Sequence, residues 1–247
     1  MSVFVAEELS EVLNTKVVIG RINMGLLNRI IIDDVLLDDQ SGQEMLKVTR
    51  LSAKFDIMPF FKGKISISSV QLFGFNINLR KETPDSPPNF KFVLDAFASK
   101  DTVKKENSLD LRINSILIRR GRMSYHVLSE EETPGKFNAK HIQLQNIIAN
   151  ISLKALSKDS LNLGIKRLSL DEKASGFSLK KMSLKLVANN KQTNIDNFTI
   201  ELPETSLKLD TIHLEYDSLK AFDRFTEQVH FSFRTLPSQV LSLIHIS

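Results

Sequence analysis

One apolar pattern recurs along this chain and restricts its fold more than any other feature. The pattern reads apolar, x, apolar, x, x, apolar, x, apolar, and its copies stand at irregular distances from one another. The clear copies are Ile30, Ile32, Val35, Leu37; Ile65, Ile67, Val70, Leu72; Leu111, Ile113, Ile116, Ile118; Leu163, Ile165, Leu168, Leu170; and Leu207, Leu209, Ile212, Leu214. A weaker copy is Ile142, Leu144, Ile147, Ala149. The irregular spacing favours a repeated architecture over a repeat of fixed length.

The four apolar positions of each copy fit a strand that contains one β-bulge. In a helix, at about 100° per residue, they would scatter around the whole circumference. In a regular strand the alternation would slip by one residue, whereas a bulge restores the facing of the side chains. The slip falls at the polar pairs Asp33-Asp34, Ser68-Ser69, Asn114-Ser115, Lys166-Arg167 and Asp210-Thr211. We therefore predict strands with one apolar and one polar face, the polar face carrying Ser66, Ser68 and Gln71.

Two copies continue beyond their fourth apolar position. Phe75, Ile77 and Leu79 follow one copy, and Gly121, Met123 and Tyr125 follow another at a matching offset of 46 residues. Gly74 and Gly121 stand where a chain would turn or kink. Each unit is accordingly predicted to be a bulged strand followed by a returning strand.

Two segments show helical periodicity instead. Val5, Leu9, Val12 and Leu13 form one apolar stripe, which predicts an amphipathic helix over 3–13. Phe90, Val93, Leu94 and Phe97 predict a second short helix near 90–99, after the proline-rich loop 83–89 and before a polar linker. The segment 130–135 is typical of a hairpin loop.

These elements give a mainly β fold. We predict an elongated, curved antiparallel sheet that forms a hydrophobic groove, with an N-terminal amphipathic helix at 1–14 and the β-groove domain at 15–247. A loop, a short helix and a linker at 82–107 interrupt the domain. The N-terminal helix is expected to pack Val5, Leu9 and Leu13 against the first strands and to protect the open end of the sheet.

Composition excludes several classes of protein. The chain has no cysteine, which removes disulfides and cysteine-built zinc sites. It has 16 Phe but 2 Tyr and no Trp, which argues against the aromatic girdles of an outer-membrane barrel. No apolar run approaches the roughly 18 residues of a membrane-spanning helix. The net charge of +4 is mild, and a solvated surface explains it better than nucleic-acid binding.

Catalytic and metal-binding motifs are missing from the sequence. The five histidines are far apart along the chain, and a satisfied strand histidine is favoured over a metal ligand for each of those in strand patterns: His126, His141 and His213. Neither GxSxG nor GxGxxG occurs, and the glycines at 20 and 25 lack the lysine of a phosphate-binding loop. We expect no enzymatic activity, no cofactor and no metal.

Two charged clusters have ordinary structural explanations. A calcium site is conceivable at Asp33-Asp34 and Asp38-Asp39, but a bulge at the first pair and a hairpin turn at the second are favoured. Lys62, Lys64 and the arginines at 119, 120 and 122 lack interleaved exposed aromatics, so edge-strand protection or plain solvation is favoured over nucleic-acid binding.

The apolar face must be covered by a second sheet, a partner or lipid, and periodicity alone leaves all three open. A series of segments resembles the region after the membrane anchor of AsmA-like proteins of the TamB type. The segments are Leu9-Ser10 through Lys16-Val-Val-Ile-Gly20, Ile32-Asp-Asp-Val-Leu-Leu-Asp38 with Gly42, Leu46, Val48 and Leu51, Lys64-Ile-Ser-Ile-Ser-Ser-Val-Gln-Leu72, and Asn89-Phe-Lys-Phe-Val-Leu-Asp-Ala-Phe97. The resemblance covers about residues 9–100 and rests on the ordered series.

The resemblance implies a periplasmic β-groove anchored in the inner membrane. Such proteins are not enzymes and are implicated in phospholipid transport toward the outer membrane and in outer-membrane protein assembly, with an outer-membrane assembly barrel protein as a partner. The chain would then be an N-terminal fragment whose anchor helix is missing. The predicted groove lining for phospholipid acyl chains is Ile65, Ile67, Val70, Leu72, Phe75, Ile77, Leu111, Ile113, Ile116, Ile118, Leu163, Ile165, Leu207 and Leu209. A β-sandwich binding or adhesion module is the alternative.

Overall fold

In the described residues, eleven strands form one open sheet whose spatial order follows the order of the chain. The structure, a computed structural model, describes residues 2–26, 28–55, 67–98, 113–157 and 160–239. The strands are β1 Val17–Gly25, β2 Arg29–Asp38, β3 Glu44–Phe55, β4 Ile67–Lys81, β5 Ile113–Val127, β6 His141–Ser157, β7 Ser160–Glu172, β8 Ser178–Asn189, β9 Gln192–Glu201, β10 Ser206–Tyr216 and β11 Val229–Thr235. The helices are α1 Ser2–Leu13, α2 Lys91–Ala98, a 3₁₀ helix Leu219–Arg224 and α3 Phe225–Gln228. The prediction of a mainly β protein with an N-terminal helix and an inserted helix is confirmed.

The sheet is mixed, because β4 and β5 run parallel while all other neighbouring strands are antiparallel. The expectation of an all-antiparallel sheet was therefore wrong at this pair. Val70 lies opposite Ile116 and Lys81 opposite Val127, which is the same offset of 46 residues that relates the two copies in the sequence. Parallel neighbours need a long crossover connection, and the segment that contains α2 provides it.

Register shifts occur at four of the five polar pairs. Neighbouring strands change register at Ser68-Ser69, Asn114-Ser115, Lys166-Arg167 and Asp210-Thr211. The weaker copy shifts at 145–146 in the same way. At the first pair the slip is made by Asp34 itself, whose φ of 57° is left-handed, without a register change against either neighbour. The predicted break in side-chain alternation is present in every copy.

The two glycines predicted to mark a turn or a kink lie inside continuous strands. Gly74 and Gly121 lie in the middle of β4 and β5, so the expected returning strands are continuations of the same strands. Gly74 has a φ of 65°, and a Cβ there would lie 2.6 Å from the Thr49 hydroxyl oxygen. A left-handed residue in mid-strand lets the side chains on both sides of it share one face, which explains why Leu72 and Phe75 pack in the same cluster.

Helices pack on the sheet near its two ends. At the first, Ala6 and Leu13 of α1 are buried in one apolar cluster with Ile19 and Leu37, and α2 packs against it through Val93. The expected contribution of Leu9 was wrong, because its side chain is 38% exposed while the neighbouring Ala6 is 8% exposed. The expected packing of Leu13 is confirmed, and Val5 is partly buried.

The other end of the sheet carries a second small cluster. Tyr216, Ala221 and Val229 are buried together where the 3₁₀ helix folds back beside β10 and β11. The Tyr216 hydroxyl donates to the carbonyl of Asn189 at 2.7 Å and lies 2.9 Å from the Thr193 hydroxyl. These bonds tie the end of β10 to the turn between β8 and β9.

Candidate functional site

Most of the predicted groove residues are brought together on one face by strand register. Val70 lies opposite Ile116, and Leu72 opposite Ile118, across the parallel pair of strands. Side chains opposite each other in neighbouring strands share a face of the sheet. Phe75 and Ile77 continue this face along β4, and they pack in one cluster with Ile118 and Met123 of β5.

The same face extends through the antiparallel strands. Leu163 lies between Leu153 and Leu186, and Ile165 lies between Ile151 and Leu184. Further on, Leu207 is opposite Ile200, and Leu209 is opposite Phe198. Apolar side chains therefore follow one another from strand to strand across the sheet, perpendicular to the strands.

Four of the predicted lining residues are only partly placed or lie outside the described structure. Ile65 and Leu111 lie outside the described residues, as do Lys62, Lys64 and Ser66. Ile67 lies in β4 opposite Phe55, and Ile113 lies in β5 opposite Leu153.

The apolar face lacks the burial of a closed core. Among the lining residues whose side chains are described, Phe75 is buried at 8% exposure, and the others are half-buried: Val70, Leu72, Ile77, Ile116, Ile118, Leu163, Ile165, Leu207 and Leu209. In the described part of the chain no large side chain is less than 2% exposed. The central cluster has Val48, Phe75 and Ile147 as its buried members. These residues, and the partly buried side chains packed against them, all belong to strands. Clusters that include helical residues thus lie at the first strands and where the 3₁₀ helix meets Tyr216 and Val229, whereas in the described residues no helix packs on the central cluster.

A row of aromatic rings at the last strands was missed in the sequence. Phe231 and Phe233 of β11 lie opposite Leu214 and Ile212, which places them on the apolar face. Their rings stack at 6.2 Å with an interplanar angle of 4°, and both side chains are more than half exposed. The alternation Phe231-x-Phe233 was the signal that could have extended the face to the edge of the sheet.

The opposite face is polar and charged. Arg50 forms an ion pair with Asp33 at 2.6 Å, and this hydrogen bond lowers the pKa of the Asp33 carboxyl. An open cavity of about 720 Å³ is lined by this ion pair together with Arg21 and Arg119. The arginines of β5 belong to an interior strand, so the interpretation that they protect a sheet edge was wrong. Arg119 and Arg120 are exposed, which agrees with the alternative that they are simply solvated. Arg120 lies 5.2 Å over the ring of Phe73.

The acidic pair at 38–39 is a hairpin turn, as predicted. Asp39 accepts hydrogen bonds from the Ser41 hydroxyl at 2.6 Å and from the Gln43 backbone amide at 3.1 Å. It is 2% exposed and also pairs with Arg80 at 2.7 Å. Burial would raise the pKa of Asp39, but these hydrogen bonds and the Arg80 charge outweigh it and lower the pKa. The carboxylate is therefore satisfied by protein groups.

The fold brings together two histidines that are distant in the sequence. His126 ends β5 and His141 begins β6, and the two residues are direct cross-strand partners. Their Nδ1 atoms are 3.0 Å apart, and Glu132 in the connecting loop lies 3.8 Å from His126 Nδ1. His213 lies elsewhere, between Asn194 and Glu215. The hairpin loop predicted at 130–135 is confirmed by the antiparallel pairing of β5 with β6.

The arrangement of the apolar face suits a long apolar ligand rather than a small polar substrate. A strip of aliphatic side chains offers contact area without the convergent polar groups that orient a small molecule. Within the described ranges, no helix combines the length and the apolar character that crossing a bilayer requires. Comparison with protein-family models and with curated proteins finds no match to this chain.

Proposed function

We propose that this chain is the β-groove of a non-enzymatic cell-envelope protein of the TamB/AsmA-like kind, and that its apolar face carries phospholipid acyl chains. One observation supports this more than any other: in the described part of the chain a single open sheet presents a continuous, half-buried apolar face, on which helices pack near the two ends. The sequence resemblance over residues 9–100 supports the family.

The energetics favour an apolar occupant for the face. Apolar area left in water costs about 25 cal/mol per Å², so a bare strip this wide is expensive. Neighbouring strands are about 4.8 Å apart, so the eight intervals from β2 to β10 make the strip roughly 40 Å long. Several acyl chains would cover such a strip without needing polar partners.

The head group of a bound lipid would remain in water. A lipid whose chains lie on the apolar face keeps its charged end at the rim of the sheet, in water. Because the strip offers few polar groups to recognise that end, we expect low selectivity among phospholipids. The β-sandwich alternative needs a second sheet over the apolar face, and all the described strands belong to one sheet.

The location and the partners of the protein follow from the proposed family. The protein would lie in the periplasm, attached to the inner membrane, and would move phospholipid toward the outer membrane. A supporting role in outer-membrane protein assembly, with an assembly barrel protein as partner, belongs to the same proposal.

Photo-crosslinking from single positions tests the proposed function. A photoreactive amino acid at position 70 or 116 should give phospholipid adducts in cell envelopes, identified by mass spectrometry. Positions 71 and 117 are the matched controls, because Gln71 and Leu117 are opposite each other on the polar face. The same photoreactive side chain is present at 116 and 117, so the comparison isolates the effect of the face. Equal adducts at 116 and 117, or none at either, would contradict the proposal.

A further inference from the structure

Three potential metal ligands meet at the end of the β5–β6 hairpin. One ring nitrogen of His126, one of His141 and a carboxylate oxygen of Glu132 all lie within 4.8 Å of one another. The two histidines are cross-strand partners at the mouth of the hairpin, and Glu132 comes from the loop that joins the strands. We propose that His126, His141 and Glu132 bind one divalent transition-metal ion, of which Zn²⁺ is the representative.

The distance between the two histidine nitrogens fits a shared ion. Nitrogens that are each about 2.0–2.1 Å from a tetrahedral zinc ion are about 3.3–3.4 Å apart. The observed separation of 3.0 Å is within a few tenths of an ångström of that value. The Glu132 oxygen is 3.8 Å from His126 Nδ1, and because its side chain is 62% exposed, a small rotation brings it into the coordination sphere.

The hydrogen bond behind His141 prepares its Nδ1 atom for a metal. His141 Nε2 lies 2.9 Å from the backbone carbonyl of Glu130, which can only accept a hydrogen bond. Nε2 therefore carries the proton, and Nδ1 presents a lone pair toward His126. A carbonyl that orients a histidine from behind is the usual second partner of a metal-ligating imidazole. Without metal, His126 would donate its own Nδ1 proton to this lone pair, and metal binding would move that proton to Nε2.

The loop is held in place and the site is open to solvent. Val127 and Lys140 close the hairpin with a backbone hydrogen bond of 2.9 Å, and the Asn138 side-chain amide donates to the Glu131 carbonyl at 3.1 Å. A cavity of about 250 Å³ is lined by Glu132 and His141 and gives an ion access. With two nitrogens and one oxygen from the protein, one position of a four-coordinate ion stays free for water. Imidazole and carboxylate ligands of this kind suit Zn²⁺, Ni²⁺ or Cu²⁺ rather than Ca²⁺ or Mg²⁺.

Calorimetric titration of the tag-free chain with Zn²⁺ alone tests the site. We expect one ion per chain, with His126→Gln and His141→Gln each weakening binding at least about tenfold, as losses in metal coordination spheres commonly do. Glu132→Gln should weaken it less, and His213→Gln is the control that should leave it unchanged. Co²⁺ in place of Zn²⁺ should give the visible absorption of a four-coordinate ion, and it should be lost in His126→Gln.

The variants separate a metal site from a hydrogen-bonded histidine pair. His141 is buried, so His141→Gln can unfold the hairpin, whereas His126 is partly exposed and Glu132 is exposed. His126→Gln and Glu132→Gln therefore decide the matter with circular dichroism as a check on folding. Absence of stoichiometric binding, or binding that survives in folded His126→Gln, would overturn the site. The result does not depend on whether the apolar face carries lipid.

Discussion

The ring of Phe75 packs directly on Gly121, where a Cβ atom would lie 2.4 Å from two of the ring carbons. The two residues hold matching positions in β4 and β5, at the same offset of 46 residues as the pairs on both sides. Phe75 is buried there, and Ile147 of β6 closes the contact from the other side at 3.0 Å from the same point. Glycine at 121 therefore makes room for the most buried aromatic side chain of the central cluster.

Gly121→Ala should destabilise the fold by about 1–3 kcal/mol, because the ring and Ile147 must both move to admit a methyl group. An alanine that met no clash would instead stabilise the protein by roughly 0.4–1 kcal/mol, because it lowers the conformational entropy of the unfolded chain. The sign of the change in unfolding free energy therefore distinguishes the two cases. Urea denaturation measures the difference. Combining the change with Phe75→Leu should remove much of the penalty, and strict additivity of the two variants would show that the contact is not the cause.

The N-terminal helix should depend on Leu13 much more than on Leu9. Leu13 is 9% exposed and Leu9 is 38% exposed, although both were expected to be buried. Leu13→Ala should cost about 2–3 kcal/mol, as for other core leucines, while Leu9→Ala should stay within about 0.5 kcal/mol. Thermal unfolding compares the two variants.

Removal of residues 1–14 should increase aggregation of the purified chain, because the β1 edge and its apolar cluster lose their cover.

Stability should fall in acid because of Glu172. Burial would raise its pKa, but hydrogen bonds from the Ser175 hydroxyl and from the backbone amides of Ser175, Ala174 and Gln143 outweigh it and lower the pKa from 4.5 to about 2. A lowered folded-state pKa adds stability that is fully present above the unfolded pKa. This stability is lost as the pH falls from about 4.5 through about 2.

Glu172→Gln tests this pH dependence. At pH 7 the amide should cost about 1–3 kcal/mol, because its NH₂ group meets the donors that the carboxylate oxygens accepted from. The difference in the free energy of unfolding between the variant and the unmodified chain should shrink as the pH approaches 2. Chemical denaturation at each pH measures it. Glu204→Gln, in the exposed turn between β9 and β10, is the control. A constant difference across this pH range would show that the charge of Glu172 is not responsible.

Charge on the apolar face should prevent lipid loading. Val70→Asp or Ile116→Asp places a carboxylate without a partner on the strip, and phospholipid recovered with the purified protein should fall about tenfold or more. Gln71→Glu adds the same charge on the polar face and should leave the recovered lipid unchanged. Mass spectrometry of extracted lipids gives the ratio, with circular dichroism confirming that each variant folds. A similar loss in Gln71→Glu would assign the effect to net charge.

The apolar pattern was sufficient to predict the strands and their faces but not their direction. Side-chain alternation is a local property, so the copies around Val70 and Ile116 could be identified as bulged strands from sequence alone. Parallel or antiparallel pairing depends on where the connection ends in space. The segment 82–107 interrupts the strand pattern, and its helix is the sequence signal for a crossover.

The sequence also could not distinguish a kink from a turn at Gly74. Gly74 adopts a left-handed conformation that suits a tight turn and a mid-strand kink equally well, and only the pairing of both halves of β4 with β3 distinguishes them. The histidine pair was invisible because fifteen residues separate its members in the sequence, and the hairpin register alone makes them neighbours. Leu9 was misassigned because helical periodicity gives the apolar stripe but not its width, and the smaller Ala6 is the residue that faces the sheet.

Strand order that matches chain order has a consequence for the dimensions of the protein. Each strand between β1 and β11 is hydrogen-bonded to the strands before and after it in the chain, so a hairpin gained or lost at an edge leaves every interior pairing as it was. Each added hairpin would lengthen the apolar strip by about 9–10 Å at a nearly constant width. The span of this surface is thus set by the number of strands, and it can change by discrete steps without a new fold.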